Sequence, residues 1–320
     1  MRARFRYAGR VVVITGGSRG LGLILARQLR KAGARLALLA RNSEELARAQ
    51  TALGGVQASV LALVCDVTDR AQVHNAVGTT LQHFGNIDVL INNAGVIQVG
   101  PLTHMTIGDY QQAMNTHFWG ALHCIEAVLP HMRQRRAGRI INIASIGGLI
   151  AVPHLAPYSA SKFALVGYSD AVRAEVAKDG IRVTTVCPGL MRTGSAVNAL
   201  MKGRHHAEFA WFSALSSLPL ISIDARRAAA QILEAGRRGV PHLTITPHAR
   251  FASILSRLLP NTFARLVALS NRVLPGPTDS LGSEAWPGRE SRSRKLPRFI
   301  TVLGDRAALH NNELPARSSL

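Results

Sequence analysis

The sequence predicts a doubly wound α/β fold, a parallel sheet between two layers of helices, over residues 1–246. Three observations carry that expectation. Short apolar runs rich in Val, Ile and Leu recur along the chain, and a stretch with helical periodicity follows each of them. The runs are continuously apolar instead of alternating, as strands buried on both faces require. The distinctive motifs fall at the carboxyl ends of these runs, where open parallel sheets bind ligands.

Taken in order, "RVVVITGG" is a β-branched strand stopped by glycines, and "LGLILARQLRKAG" is a helix with a glycine end. "RLALLAR" supplies a second buried strand. "VLALVCDV", "NIDVLINNAG", "GRIINIAS" and "IRVTTVCPG" continue the alternation, which ends at "HLTIT" (242–246). Residues 247–274 read as an amphipathic helical extension broken at Pro260. Its first half carries Phe251, Ile254, Leu255 and Leu258 with Arg250 and Arg257, and its second half carries Phe263, Leu266 and Val267 with Arg265 and Arg272. Residues 275–320, rich in Pro, Gly, Ser and Arg, read as a flexible tail in which "FITVLG" is the segment able to dock.

Composition narrows the function. A chain of 320 residues, 47% hydrophobic, can bury a large core. No apolar run approaches the ~20 residues of a membrane span, and the short run after the basic start leads straight into a glycine turn, as a strand does. Cys65, Cys124 and Cys187 are few and scattered, which argues against a disulfide framework or a zinc site and suits a reducing cytoplasm. His205 and His206 have no partner ligands nearby, so they are expected to face solvent and no metal is expected. The net charge of +20 would suit nucleic acid, an anionic membrane surface or an anionic ligand. Nucleic acid is set aside, because the arginines are dispersed without interleaved aromatics or a binding motif. Peripheral membrane contact through 247–274 stays open, with a cover over the active site or a dimer contact as alternatives.

The chemistry begins with "YSASK", which puts Tyr158 and Lys162 one helical turn apart. A phenol titrates near pH 10, and an ammonium on the same helix face favours its ionised form. "TGGSRGLG" (15–22) joins the first strand to the first helix, where glycines let backbone N–H groups approach a pyrophosphate. The second strand ends at Ala40 and Arg41, where folds that prefer NAD carry an acid for the ribose hydroxyl. With that acid missing, Arg19 and Arg41 favour the 2′-phosphate of NADP over NAD.

These motifs, in this order over residues 8–246, resemble the short-chain dehydrogenase/reductase family and its Rossmann-type domain. The resemblance implies a cofactor site made of Thr15, Gly16, Ser18, Arg19, Gly20, Leu21, Gly22, Arg41, Asp66, Val67, Asn93, Ala94, Gly95, Pro188, Gly189 and Thr193, joined by Tyr158 and Lys162. It implies a catalytic set of Asn115, Ser145, Tyr158 and Lys162. Tyr158 would exchange a proton with a substrate carbonyl or alcohol, and Ser145 would hold the reacting oxygen. Lys162 would lower the phenol pKa and bind the nicotinamide ribose, Asn115 would hold a relay water, and Thr193 would fix the carboxamide. In the family, the segment after "CPG" covers the substrate. Here residues 194–220 form that lid, and Met201, Phe209, Trp211, Phe212 and Leu215 suggest a lipophilic substrate, with packing on the core as the alternative. The resemblance also implies a homo-oligomer, although the long C-terminal extension departs from the family's usual ending. A 3-oxoacyl-type reductase of lipid metabolism and a non-catalytic cofactor-binding regulator are the competing readings.

Overall fold

The structure, a computed structural model, describes residues 5–55, 59–278, 283–292 and 298–314. Seven strands make one parallel sheet: β1 (Val11–Thr15), β2 (Arg35–Ala40), β3 (Val60–Val64), β4 (Val89–Asn92), β5 (Gly138–Ile143), β6 (Ile181–Pro188) and β7 (His242–Ile245). They lie in the order β7-β6-β5-β4-β1-β2-β3. The order reverses between β1 and β4, which pair through Val12 and Val89, so the connections leaving them part and open a crevice at their carboxyl ends.

The continuous apolar runs explain the two-faced sheet. Val12, Ile14, Leu36 and Leu38 point to one side, into a core shared with α1 (Gly20–Lys31), α2 (Ser43–Ala52) and α8 (Ala225–Arg238). Val11, Val13, Ala37 and Leu39 point to the other, against α3 (Arg70–Phe84), α5 (Gly120–Gln134) and α6 (Ala156–Val176). Each fully buried Leu, Ile or Val contributes about 1.5–3 kcal/mol, which fixes both helix layers. A chain of buried hydrogen bonds then ties the sheet to α6. Asn92 donates to Asn142 (2.8 Å), Asn142 donates to Ser169 (2.9 Å), and Ser169 meets Thr185 (2.7 Å).

Helix ends separate structural caps from a binding end. The Asn42 side chain caps α2, Asp69 caps α3, and Thr106 with Asp109 forms a capping box on α4 (Ile107–Met114). Helix α1 has neither a side-chain cap nor an acid in its first turn. Its N-terminal donors are thus left for a group from outside the helix.

Residues 194–220 fold as a short turn, a two-residue strand (Leu200–Met201) and α7 (His205–Ser217). Met201, Phe209 and Phe212 are buried in a satellite cluster with Val99, Leu155 and Ala199, against which Tyr158 and Trp211 pack. The segment is held by a buried ion pair between Lys202 and Asp109 and by Glu208, which accepts from Trp211 and pairs with His154. His205 is not a solvent-facing residue: its ring stacks on Trp286 at 5.1 Å.

Beyond β7 come α9 (Pro247–Leu258) and α10 (Pro260–Ser270), each opened by a proline, which suits the first turn of a helix. The region expected to be a flexible tail contains a further helix, α11 (Arg298–His310), which spans the "FITVLG" segment. Composition alone does not reveal it, because what holds it is tertiary. Gly194, at φ +90°, and Gly304 let α11 close on the lid, since a side chain at either would run into Ala308 or Ser217.

Candidate active site

The site forms where the first turn meets the loop after β4. Thr15 Oγ1 accepts from the N–H groups of Asn93 (2.9 Å) and Ala94 (3.0 Å), and the Asn93 amide donates to the carbonyls of Thr15 and Gly16. Gly16 takes φ +62°, and a Cβ on Gly22 would collide with the Gly16 carbonyl. Only glycine permits this closeness, which aims the start of α1 at the crevice. The uncapped end of α1 already holds an anion-type side chain, the buried Glu313, whose Oε2 lies 3.4 Å from Arg19 Nε. The residues there therefore fit a phosphate-bearing cofactor.

The two arginines expected to select the cofactor are both engaged. Arg19 pairs with Glu45 at 2.9 Å as well as with Glu313, and Arg41 reaches Asp66 at 3.8 Å. Asp66 is further held by Thr68, whose N–H and hydroxyl both donate to it at 2.9 Å. Val67 is buried beside Gly120, Gly95 lies against His117, and Gly189 lies against Thr246. Thr193, between Pro188 and the lid, donates its hydroxyl to Ser195 (2.9 Å).

Ser145, Tyr158 and Lys162 come together at the carboxyl end of β5. Ser145 leaves that strand as the cap of a short 3-10 turn, accepting from Gly147 N (3.1 Å). The Tyr158 ring lies over Gly147, where a Cβ would stand 3.2 Å from it and 3.5 Å from Ser145 Oγ. Lys162 is buried, donates from Nζ to the Ile143 carbonyl (2.9 Å) and sits 5.7 Å from the Tyr158 ring centre. Burial pushes the Lys162 ammonium down to about 7. Burial raises the Tyr158 phenol, while hydrogen bonding with Ser145 lowers it. Desolvation therefore opposes the lysine assistance that the spacing implies. The thiol of Cys187, behind this group, is pushed up to about 12, mainly by burial, and stays protonated.

Asn115, expected to hold a relay water, has an exposed side chain, and the residue its turn carries inward is His117. Helix α4 runs into α5 through a π-helical turn, Asn115–Trp119, in which Gly120 N–H bonds back to the Asn115 carbonyl. The extra residue in that turn changes which side chains face the sheet. The buried His117 ring lies 5.4 Å from Tyr158, edge to face. Its Nε2 accepts from Val96 N–H (3.1 Å), so Nδ1 carries the proton and donates to Ser161 Oγ (2.7 Å), which donates to the Tyr158 carbonyl (2.9 Å). Burial and then the Lys162 charge hold His117 well below the usual imidazole range, so it is neutral. The sequence offers little sign of it, since a histidine in an apolar helix is usually a satisfied core residue. Among the described residues no three His, Cys, Asp or Glu side chains group as metal ligands.

Comparison with known proteins now decides the family. The model of the short chain dehydrogenases matches residues 10–202, more than half of the chain. The chain belongs to the short-chain dehydrogenase family. It is 35% identical over 261 residues to the dehydrogenase/reductase SDR family protein 7-like of Anopheles gambiae, covering 80% of this chain and 81% of that one. A 3-ketodihydrosphingosine reductase of Bacteroides thetaiotaomicron is 41% identical over 188 residues, 59% of this chain and 66% of the relative. A crystal structure of an actinorhodin polyketide ketoreductase variant with NADPH matches with a TM-score of 0.65 and 29% identity, over 74% of this chain and 95% of that one. As a short-chain dehydrogenase, the protein is a nicotinamide-dependent oxidoreductase of the carbonyl–alcohol class.

The His117 geometry generates a test. His117→Phe keeps a ring against Tyr158 but leaves Val96 N–H without its acceptor, a loss of about 1–3 kcal/mol for a buried donor. Turnover of a ketone substrate should fall at least ~10-fold with a displaced pH profile, while cofactor affinity holds. Unchanged kcat and pH profile in a folded variant would show that His117 only packs.

Proposed function

We propose that this short-chain dehydrogenase interconverts a lipophilic ketone or aldehyde and its alcohol with NADP, using Tyr158 as the acid/base group. The observation that carries this reading is the convergence of Ser145, Tyr158 and Lys162 beside an apolar cluster of the lid. The bound dinucleotide would supply or accept the hydride. Tyr158 Oη hands its proton to the carbonyl oxygen, or takes one back in the reverse direction. Ser145 Oγ donates to the same oxygen and stabilises the charge that develops there. Lys162, anchored on the Ile143 carbonyl, favours the phenolate when it carries its charge. His117 fixes the backbone that presents Tyr158.

Cofactor contacts follow the turn and strand ends. The α1 N-terminus, with Ser18, Arg19, Gly20, Leu21 and Gly22, would hold the pyrophosphate, and Asp66 and Val67 the adenine. Asn93, Ala94, Gly95, Pro188, Gly189 and Thr193 would line the nicotinamide end. Arg19 and Arg41 would receive the 2′-phosphate of NADP, and Arg41 is largely exposed, free to exchange Asp66 for it. The NADPH in the ketoreductase structure supports this choice. The lipophilic substrate is supported by Met201, Phe209 and Phe212 packing in one cluster with Tyr158, and by the 3-ketodihydrosphingosine reductase among the relatives.

The α9–α10 hairpin supports a peripheral membrane role at an anionic surface, within a reducing cytoplasm. Phe251, Ile254, Leu258, Leu266 and Leu269 are all more than half exposed, alongside exposed Arg250, Arg257, Arg265 and Arg272. No helix among the described residues is long and apolar enough to cross a membrane.

Three outcomes check these readings. Tyr158→Phe should lower turnover at least ~10²-fold, the usual scale for a lost acid/base group, with NADPH affinity retained. Near-normal turnover would remove Tyr158 from the chemistry. Arg41→Ala should weaken NADPH binding ~10- to 100-fold, the scale of a charged hydrogen bond, and leave NADH within ~2-fold. Equal losses would assign Arg41 to the fold. Each arginine near an anionic bilayer contributes ~1 kcal/mol, so Arg257→Gln with Arg265→Gln should weaken sedimentation with phosphatidylserine vesicles ~30-fold. Binding that ignores both the substitutions and added salt would sink the membrane reading.

A further inference from the structure

The end of the described chain lies on the very turn assigned to the cofactor. After α11 the chain continues through Asn311, Asn312 and Glu313, and each residue bonds to the glycine turn or its surroundings. The Asn311 carbonyl accepts from Gly20 N–H (2.8 Å), and its side chain donates to the Thr193 carbonyl (2.9 Å). The Asn312 amide donates to the carbonyls of Ser18 (2.9 Å) and Glu45 (3.1 Å) and accepts from Arg48 Nε (2.9 Å). Glu313 accepts from Asn198 through its carbonyl (2.8 Å) and through Oε2 (2.7 Å), and its carboxylate pairs with Arg19. Asn311 and Glu313 are buried, and a side chain at Gly20 would run into Glu313 Oε1.

From this arrangement we infer that residues 311–313 are an internal competitor of the dinucleotide, a strap that must leave the turn before the cofactor's phosphates can seat. The inference rests on the dinucleotide reading above and adds what regulates that site. The strap occupies the groups a phosphate would use at the α1 N-terminus, with the Asn311 carbonyl on Gly20 N–H and the Glu313 carboxylate on the Arg19 guanidinium. A carboxylate and a pyrophosphate would repel each other in that space.

Helix α11 packs Ala308 against Gly194 of the lid but leaves Val302, Leu303 and Leu309 between about one-third and two-thirds exposed, so only part of its apolar surface holds the segment. Burial raises the Glu313 carboxyl to about 7 in spite of Arg19 and Asn198, so holding its charge while docked carries a desolvation cost that release to water removes. A competitor that occupies the site for a fraction of the time reduces apparent affinity in proportion. A strap docked about 90% of the time would weaken the cofactor ~10-fold.

The test uses the full chain throughout. NADPH and NADH affinities are measured by fluorescence titration for the unaltered protein, Glu313→Ala and Asn312→Ala, and hydrogen exchange of residues 298–314 is followed in the unaltered protein with and without NADPH. Both variants should bind NADPH at least ~5-fold more tightly, and NADPH should remove protection from 298–314. Equal or weaker binding in both variants, or a segment that stays protected with NADPH bound, would overturn the inference and make the strap a fixed wall of the site. Failure of every form, Glu313→Ala included, to bind either dinucleotide would overturn the cofactor reading itself.

Discussion

A buried ammonium dictates the arrangement of the catalytic corner. Lys162 is almost fully withdrawn from water, and its Nζ has the Ile143 carbonyl as hydrogen-bond partner. An isolated charge in such a place is costly, so its proton is held loosely, with a pKa of about 7. Everything nearby must accommodate that charge when it is present. His117 does so by remaining neutral, with both ring nitrogens committed to hydrogen bonds. Tyr158 does so by placing its ring beside the lysine. The rigid part of this corner is the sheet and the Asn92–Asn142–Ser169–Thr185 chain, which fix the height of α6 against β5 and β6. Around Ser145, Tyr158 and Lys162 the remaining titratable neighbours, Cys187 and His117, are held by burial in their neutral forms.

Much of this was legible in the sequence. The seven strands correspond to seven apolar runs, because a parallel strand buried on both faces cannot hide polar residues and so stands out by composition. The Tyr158–Lys162 spacing was legible because helical geometry is regular. His117 was not, because a π-helical turn inserts one residue into an otherwise ordinary helix and leaves no compositional trace. Asn115 thus faces solvent two positions before the residue that faces the site. The pairing of Arg19 with Glu45 was hidden for a different reason: Glu45 comes from α2, on the far side of β2, and only the fold brings them together. Helix α11 was hidden by its flanks, whose Pro, Gly, Ser and Arg content masks a segment held by close packing on the lid and by the polar residues that follow it.

Charge is distributed in a way that connects these features. The chain carries 38 basic and 18 acidic side chains, so the cations outnumber the anions about two to one. Among the described residues the acids concentrate where they restrain a particular cation, as Asp88 does for Arg10 and Arg135 and as Glu45 and Glu313 do for Arg19. The rim of the cofactor crevice is thereby balanced, while the α9–α10 face keeps Arg250, Arg257, Arg265 and Arg272 exposed. The same surplus is therefore held in two ways, one part restrained by neighbouring carboxylates and the other exposed on the α9–α10 face.

The π-helical turn at Asn115–Trp119 also sets where this stretch can change its length. A π turn takes up one extra residue between two α-helical stretches that keep their phase, so deleting one residue there would restore ordinary helical bonding and leave Cys124, Ile125, Val128 and Met132 against β4 and β5. The same deletion inside α5 would instead rotate everything after it by about 100°, since each helical residue turns the chain by that angle. The loss at the turn would be local: His117 would give up the position from which it accepts from Val96 N–H.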